Sequence, residues 1–195
     1  MATIGLIFSC SPFFKALSPP VNASYKWNVE INLSKHRVGE LKSYEGIVDP
    51  IWVYRRTPEQ IAWLEHHEPP TVAPSISKYL KSMEYNGRYR SINKEYFVFK
   101  EWRLREKTYL QESYAWYYCG DLKYIGGDQK VKNNQVFKGV IACSTNFNNF
   151  KADGWGFIYD VAGNASSQYM VPLGVPYYEF NRVGNLVIKP LPLAP

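Results

Sequence analysis

Cysteine, histidine and long apolar runs are scarce in this 195-residue chain, and each scarcity excludes a class of protein. The three cysteines, Cys10, Cys119 and Cys143, are too few and too widely spaced for a disulfide scaffold or a zinc site. No apolar run approaches the roughly 18 residues that a membrane-spanning helix requires. We therefore expect a protein that does not cross a membrane and is not held together by disulfides or metal.

Proline is absent from the 97 residues between Pro74 and Pro172, and all 13 prolines lie in the flanking segments. Because proline cannot donate to a hydrogen-bonded ladder, it is excluded from central strands and helix interiors. The middle of the chain is therefore predicted to hold the regular core. We expect an N-terminal arm over residues 1–24, a single β-rich domain over 25–187 and a Pro-rich C-terminal tail over 188–195.

Strand patterns dominate the predicted β-rich domain. The stretch YKWNVEINLS, Tyr25–Ser34, alternates apolar and polar residues without a fault, which predicts a half-buried β-strand. A second strand is predicted near Ile47–Tyr54, and several more follow Arg90, separated by turn signals such as Gly126-Gly127-Asp128. This pattern predicts a mainly β fold, an antiparallel sandwich or barrel, with a jelly-roll-like arrangement as one form of it.

Two short helices are predicted within this β fold, near residues 58–67 and 76–85. The first has Thr57 at the N-cap, Pro58 at the first helical position and Gln60 three residues after the cap. The second has apolar residues at helical spacing and ends at an Asn-Gly pair.

Catalytic motifs are missing from the sequence. It contains no G-x-S-x-G elbow, no G-x-G-x-x-G turn before a helix and no phosphate loop. The stretch EHHE, Glu65–Glu68, places its histidines next to each other, so they diverge on a helix; we interpret it as a solvated helix end. We expect a protein that is not an enzyme and uses no cofactor or metal. A pair of carboxylates brought together only by the fold stays open as an alternative.

Positive charge is concentrated between Lys78 and Lys107, where nine bases and four acids give +5 of the chain's net +6. Cations interleaved with aromatic residues are typical of nucleic-acid surfaces. The candidate polyanion contacts are Arg88, Arg90, Lys94, Lys100, Arg103, Arg105 and Lys107. The simpler interpretation, which we favour, is that Tyr96–Phe99 is a core strand and that neighbouring glutamates form surface ion pairs with these cations.

A hairpin register can also be predicted. If residues near 129–133 form the loop, Cys119 faces Cys143, Leu122 faces Val140 and Ile125 faces Phe137. Side chains directly opposite each other on paired strands touch. The cysteine pair is then either redox-sensitive or two buried thiols that pack as small hydrophobes, and we favour the second.

The C-terminal run VIKPLPLAP is predicted to be extended, because alternating prolines favour polyproline geometry. Extended arms that order on contact, and strands that add to a neighbour's sheet, are common assembly devices. The candidate arm residues are Pro190, Leu191, Pro192 and Leu193. We therefore expect a structural subunit of a virus or phage particle, such as a capsid, decoration or tail-connector protein, whose arms contact other copies or other particle proteins.

The expected partners are thus other protein chains, with nucleic acid as a further candidate and no membrane. The expected location is the virion, or the host cytoplasm during assembly; secretion is not expected, because the first twenty residues lack a basic stretch followed by a long apolar region. The alternative is a β-rich binding module for a polyanion or a glycan. In that case the basic segment, or the aromatic residues of the hairpin around Tyr114–Tyr124, would form the site, although aromatics equally fill cores.

Overall fold

The computed structural model of the chain describes residues 28–46, 50–69, 87–100, 121–131, 135–144, 157–166 and 172–189. Strands make up 44% of these residues, so the predicted mainly β fold is confirmed. The elements are β1 (Val29–Ile31), β2 (Leu41–Tyr44), β3 (Ile51–Arg55), α1 (Pro58–His66), β4 (Tyr96–Lys100), β5 (Asp121–Lys130), β6 (Val136–Ser144), β7 (Phe157–Tyr159), β8 (Tyr178–Phe180) and β9 (Leu186–Ile188). The predicted N-terminal arm and the predicted helix near 76–85 lie outside the described residues.

The strands form three small antiparallel sheets, none of which closes on itself within the described part of the chain. The terminal sheet has the order β1-β9-β8, the central sheet β2-β3-β4 and the hairpin sheet β5-β6-β7. The central sheet lies between the other two, because each of its faces shares a hydrophobic cluster with one of them.

Alternation along β3 and β4 explains why both faces of the central sheet are buried. Val53 and Val98 enter the cluster shared with the terminal sheet. Tyr54, Phe97 and Phe99 point to the opposite face and enter the cluster shared with the hairpin sheet and helix α1. All five side chains have 0% exposure, so the prediction that Tyr96–Phe99 is a core strand is confirmed.

The alternation in Tyr25–Ser34 also corresponds to alternating burial, with Ile31 and Leu33 buried between exposed polar neighbours. The described strand, β1, is shorter than predicted and pairs with β9, so that Ile31 lies opposite Leu186. It ends early because the chain turns, with the His36 N–H donating to the Leu33 carbonyl at 2.9 Å. The buried side of the strand therefore contributes to the cluster against the central sheet.

The predicted strand near Ile47–Tyr54 is found as β3, which begins at Ile51 and extends to Arg55. Residues 47–49 lie outside the described residues. Strand β2 was not predicted, because its sequence LKSY has no alternation of apolar and polar residues. Two of its four residues are exposed and two are half-buried, and antiparallel pairing with β3 holds it in the sheet.

The predicted hairpin register is wrong by about three positions. Leu122 pairs with Cys143 and Ile125 pairs with Val140, and Gln129 pairs with Phe137 after a register shift. The pairing changes register between Ile125 and Asp128 because Gly126-Gly127, predicted as a turn between strands, forms a bulge inside β5. Gly127 there has a φ of 76°. Cys119 lies outside the described residues, so the cysteine pair stays a prediction. The register from which it was derived is not the register found.

Candidate functional site

Helix α1 starts as predicted, at a capping box. The Gln60 N–H donates to the Thr57 hydroxyl at 3.2 Å, and the Thr57 N–H donates to the Gln60 side-chain carbonyl at 2.9 Å. These bonds satisfy two N–H groups for which the first helical turn has no partner. The capping prediction is therefore confirmed, and it fixes the direction in which the helix leaves the central sheet.

The amide of Gln60 also connects the helix to two sheets. Its Oε1 accepts a second hydrogen bond, 2.8 Å long, from the Tyr54 hydroxyl of β3. Its Nε2 donates to the Tyr124 hydroxyl of β5 at 2.7 Å and to the Lys138 carbonyl of β6 at 2.8 Å. Both lone pairs and both N–H groups of the buried amide are thus used. Burial raises the pKa of Tyr54 well above its usual range, so its hydroxyl keeps the proton that it donates.

A surface groove of about 370 Å³ runs between α1 and the start of β6. Its lining residues are Glu59, Ala62, Trp63, His66, His67 and Lys138. The first five lie on the helix or at its C-cap, and Lys138 is on β6. The network around Gln60 holds this helix against the hairpin sheet and so fixes the width of the groove.

Aromatic rings form one wall of the groove. Trp63 and His67, four positions apart on the helix, stack with their ring centroids 4.1 Å apart. The ring of Phe137 packs edge-on against both, at 5.8 Å from Trp63 and 6.0 Å from His67. Because Phe137 has 0% exposure, this wall rests on the hydrophobic core and has a fixed shape.

Charges lie on the rim of the groove. The Lys138 ammonium lies 2.8 Å from an Asp128 carboxylate oxygen and 3.2 Å from a Glu59 carboxylate oxygen. Hydrogen bonds from the ammonium to Asp128 and Glu59 raise the pKa of Lys138 above its usual value. The rim therefore holds one cation between two anions.

The structure separates the two histidines of EHHE. His66 is exposed at the end of the helix, as expected of a solvated helix end. The same interpretation is wrong for His67, whose ring is half-buried against Trp63 and Phe137. Its Nε2 atom is buried and has no hydrogen-bond partner among the residues that the structure describes. Among the described residues, no group of three or more His, Cys, Asp or Glu side chains is placed to hold a metal ion.

Three candidate polyanion contacts are placed by the structure at or near the surface. Arg88 lies 3.4 Å from Glu68 and Lys94 lies 3.7 Å from Glu65, so both are in ion pairs with the C-terminal end of α1. Lys100 is half-buried at the end of β4, where its N–H donates to the Gly174 carbonyl at 2.8 Å. The candidates Arg103, Arg105 and Lys107 lie outside the described residues.

Arg90, the remaining candidate, is 7% exposed and its guanidinium points into the protein. It donates to the carbonyls of Gly163 at 2.8 Å and Leu173 at 2.7 Å. Its backbone has a φ of 47°, which is uncommon for a residue with a side chain. Arg90 therefore belongs to the interior, where it connects segments distant in sequence, and the exposed basic surface does not include it.

A second buried arginine, missed by sequence reasoning, completes this arrangement. Arg56 is 1% exposed and donates to the carbonyls of Val161, Lys94 and Tyr89 at 2.9, 2.8 and 2.7 Å. Burial lowers the pKa of Arg56 to about 10, which leaves the guanidinium charged at neutral pH. The guanidinium thus supplies donors to one carbonyl of a buried loop, which water cannot reach, and to two carbonyls of the partly buried segment before β4.

That loop, residues 160–165, is buried throughout. Its carboxylate, Asp160, accepts from the Ala162 N–H at 2.8 Å and from the Asn164 N–H at 2.9 Å. Burial lowers the pKa of both Arg56 and Arg90, and the charge of Asp160 offsets part of this lowering. We assign the two arginines and Asp160 a structural role, because their hydrogen bonds hold backbone carbonyls and N–H groups in place and also join the side chains of Ser91 and Asn164.

The candidate arm residues, Pro190–Leu193, lie outside the described residues. The residues just before them belong to the terminal sheet. Ile188 is the last residue of β9, the central strand of the terminal sheet. Lys189 extends the pairing, since its N–H donates to the Tyr177 carbonyl at 2.9 Å and its ammonium is paired with Glu179. The last described residue, Lys189, is therefore still paired with the sheet.

No protein-family model matches this chain, and no curated protein matches it in sequence. Among the described residues, no helix has the length and apolar character needed to span a membrane. The functional argument therefore depends on the residues and their geometry.

Proposed function

We propose that this protein is a non-enzymatic structural subunit of a virus or phage particle, which binds other copies of itself or other particle proteins through its Pro-rich terminal segments. The observation that carries the proposal is the attachment of residues 190–195 to the central strand of a sheet. β9 pairs with β1 on one side and with β8 on the other. Ile188, two residues before Pro190, is only 5% exposed.

This attachment suits an assembly arm for a physical reason. A Pro-rich segment has few backbone donors and no internal hydrogen bonds, so it gains stability mainly by docking on another surface. A contact made by residues 190–195 would be tied directly to the core through β9, because Leu186 and Ile188 are both buried. Tension on the arm would therefore be carried by paired strands rather than by a loop.

We also propose that the three sheets belong to one antiparallel sandwich in the complete fold. The support is the central sheet, whose β3 and β4 side chains are buried on both faces. Sheets that stack face to face bury their apolar sides in this way.

The alternative, a binding module for a polyanion or a glycan, receives less support. Arg88 and Lys94 are already paired with carboxylates at or just beyond the C-terminal end of α1, and Arg90 is buried. Of the aromatic hairpin, Tyr124 is engaged with Gln60 and packs 4.6 Å from the Tyr54 ring. These contacts leave fewer groups for an external ligand than the sequence suggests.

The test is the mass of the protein in solution, measured by light scattering, for the full chain and for a chain shortened after Lys189. Cutting there keeps Ile188 in the core and Lys189 in its pairing, whereas a cut after Val187 would damage β9. We expect an oligomer that dissociates on shortening. A mass of 22.6 kDa for the full chain at all concentrations would overturn the proposal.

A further inference from the structure

We propose that the groove beside helix α1 binds the Pro-rich segment 190–195 of a second copy of this chain, an inference that rests on the assembly function proposed above. The groove would then be the acceptor and the segment the donor of one repeated contact between subunits. Such a contact is heterologous, because two different surfaces of the same chain meet.

The wall of the groove has the chemistry that proline-rich peptides prefer. Grooves that bind such peptides are lined by aromatic rings, which pack against the pyrrolidine rings. Here Trp63 and His67 form a stacked pair that lines the groove, supported from below by Phe137. Ala62 adds a small, exposed side chain that leaves the space open.

The spacing of the prolines fits an aromatic wall. Residues 190–195 read PLPLAP, with prolines at 190, 192 and 195. A polyproline helix has three residues per turn, so Pro192 and Pro195 lie on the same edge. This P-x-x-P spacing presents two prolines side by side to one groove, and Pro190 adds rigidity before them.

Polar groups at the rim complement the backbone of such a segment. The carbonyls of a polyproline helix have no internal partners and must accept hydrogen bonds from water or protein. His66 stands exposed at the edge of the groove and can donate an N–H to these carbonyls. The Lys138 ammonium, two of whose N–H groups are held by Asp128 and Glu59, can donate its third. Recognition would then combine apolar contact on the wall with hydrogen bonds from the rim.

The length of residues 190–195 indicates that the bound segment comes from a second copy of the chain. Lys189 is held in the terminal sheet, and the groove lies beyond the opposite face of the central sheet. Packed sheets are separated by about 10 Å, so two such layers amount to about 20 Å. Six residues of polyproline helix extend only about 19 Å, too little to pass around the central sheet and also fill the groove.

The test introduces bulk into the groove without disturbing the core. Trp63→Ala would remove core packing and is unsuitable alone, because Trp63 packs against two hydrophobic clusters. Ala62→Arg instead places a long side chain in the groove at an exposed helix position where arginine is well tolerated. Ala62→Ser, at the same position, leaves the groove open and is the matched control. Both Ala62 variants are made in the full chain, and circular dichroism checks that each one folds.

Light scattering is expected to give an oligomer for Ala62→Ser and a monomer for Ala62→Arg. An uncharged probe peptide of sequence PLPLAP, acetylated and amidated, should dissociate the Ala62→Ser oligomer, and a peptide with its prolines replaced by alanine should require at least about tenfold more to do so. If shortening after Lys189 gives a monomer but Ala62→Arg stays assembled, the groove is not the acceptor, while the proposed function stands. If the full chain is a monomer, both proposals fail.

Discussion

The Tyr124 hydroxyl accepts a 2.7 Å hydrogen bond from the side chain of Gln60, and the Tyr124 ring lies 4.6 Å from that of Tyr54. Helix α1, the central sheet and the hairpin sheet meet at this point. Gly139 on β6 makes the meeting possible, because a Cβ there would lie 2.7 Å from the Tyr124 hydroxyl oxygen and 2.9 Å from Gln60 Nε2. The side-chain amide of Gln60 therefore determines where helix α1, and with it the groove, lies against the hairpin sheet.

Replacing Gln60 with leucine is expected to destabilise the fold by about 3 kcal/mol, because partner groups in a buried site lose their hydrogen bonds. The Lys138 carbonyl and the hydroxyl of Tyr54 would lose a partner, and the capping box would be broken. Urea unfolding measures the change. The neighbouring Glu59→Gln, whose side chain is 73% exposed, is the control and should cost less than about 1 kcal/mol. Equal losses in the two variants would contradict this account.

Replacing Arg56 with lysine tests the buried guanidinium. Lysine keeps the charge but cannot reproduce the planar fork that serves Val161, Lys94 and Tyr89 together. We expect a loss of about 3 kcal/mol in the free energy of unfolding, since the buried Val161 carbonyl and the two partly buried carbonyls cannot all keep a donor.

Arg88→Lys is the matched control for that variant, because the Arg88 side chain is 38% exposed and its guanidinium forms a 3.4 Å ion pair with the exposed Glu68. It should change stability by no more than about 0.5 kcal/mol. If Arg56→Lys were as mild as Arg88→Lys, the carbonyls of Val161, Lys94 and Tyr89 would have to be satisfied in some other way.

Gly163 and Gly184 allow steric contact to be separated from backbone strain. Both have a positive φ, 75° and 83°. A Cβ at Gly163 would lie 2.3 Å from Phe97 Cζ, whereas nothing lies within 4 Å of one at Gly184. Gly184→Ala should therefore cost about 1–2 kcal/mol from left-handed strain alone. Gly163→Ala should cost at least about 2 kcal/mol more, because a packed core yields little. Thermal and urea unfolding of the two variants would show whether the difference exists.

Local signals in the sequence were sufficient for several elements. Thr57, Pro58 and Gln60 predicted the start of α1, because a capping box depends only on residues within one turn. The alternation ending at Leu33 predicted which side chains are buried. These features depend on neighbours in the chain, so one sequence contains enough information for them.

Features that depend on distant partners were not predictable in this way. The two glycines at 126 and 127 fit a turn as well as a bulge, and only pairing with β6 decides between them. Arg90 belonged to a basic segment by composition, yet the buried carbonyl of Gly163, 73 positions away, determines its direction. The groove had one local signal, since Gln60, Trp63 and His67 share a helix face at i, i+3 and i+7, but that signal does not identify what the face contacts.

Asp160 makes the stability of the fold depend on pH. Burial raises the pKa of its carboxyl above the ordinary value of 3.8, although hydrogen bonds from Asn164 and Ala162 and the charge of Arg90 act in the opposite direction. An acid with a raised pKa in the folded state binds its proton more tightly when folded. Its contribution to stability is therefore fully present below the unfolded pKa and is lost as the pH rises through the folded pKa.

The variant Asp160→Asn removes this titration and keeps a side-chain oxygen that can accept from the Ala162 N–H. Arg56 and Arg90, the cations that face the carboxyl, both have a pKa of about 10 and remain charged throughout the acidic and neutral range. The free energy of unfolding of the wild type, minus that of the variant, should therefore fall as the pH rises from about 4 toward neutrality. Urea unfolding at several pH values measures this difference. A difference that grows with pH would mean that the arginines outweigh burial and hold the pKa of Asp160 below its usual value.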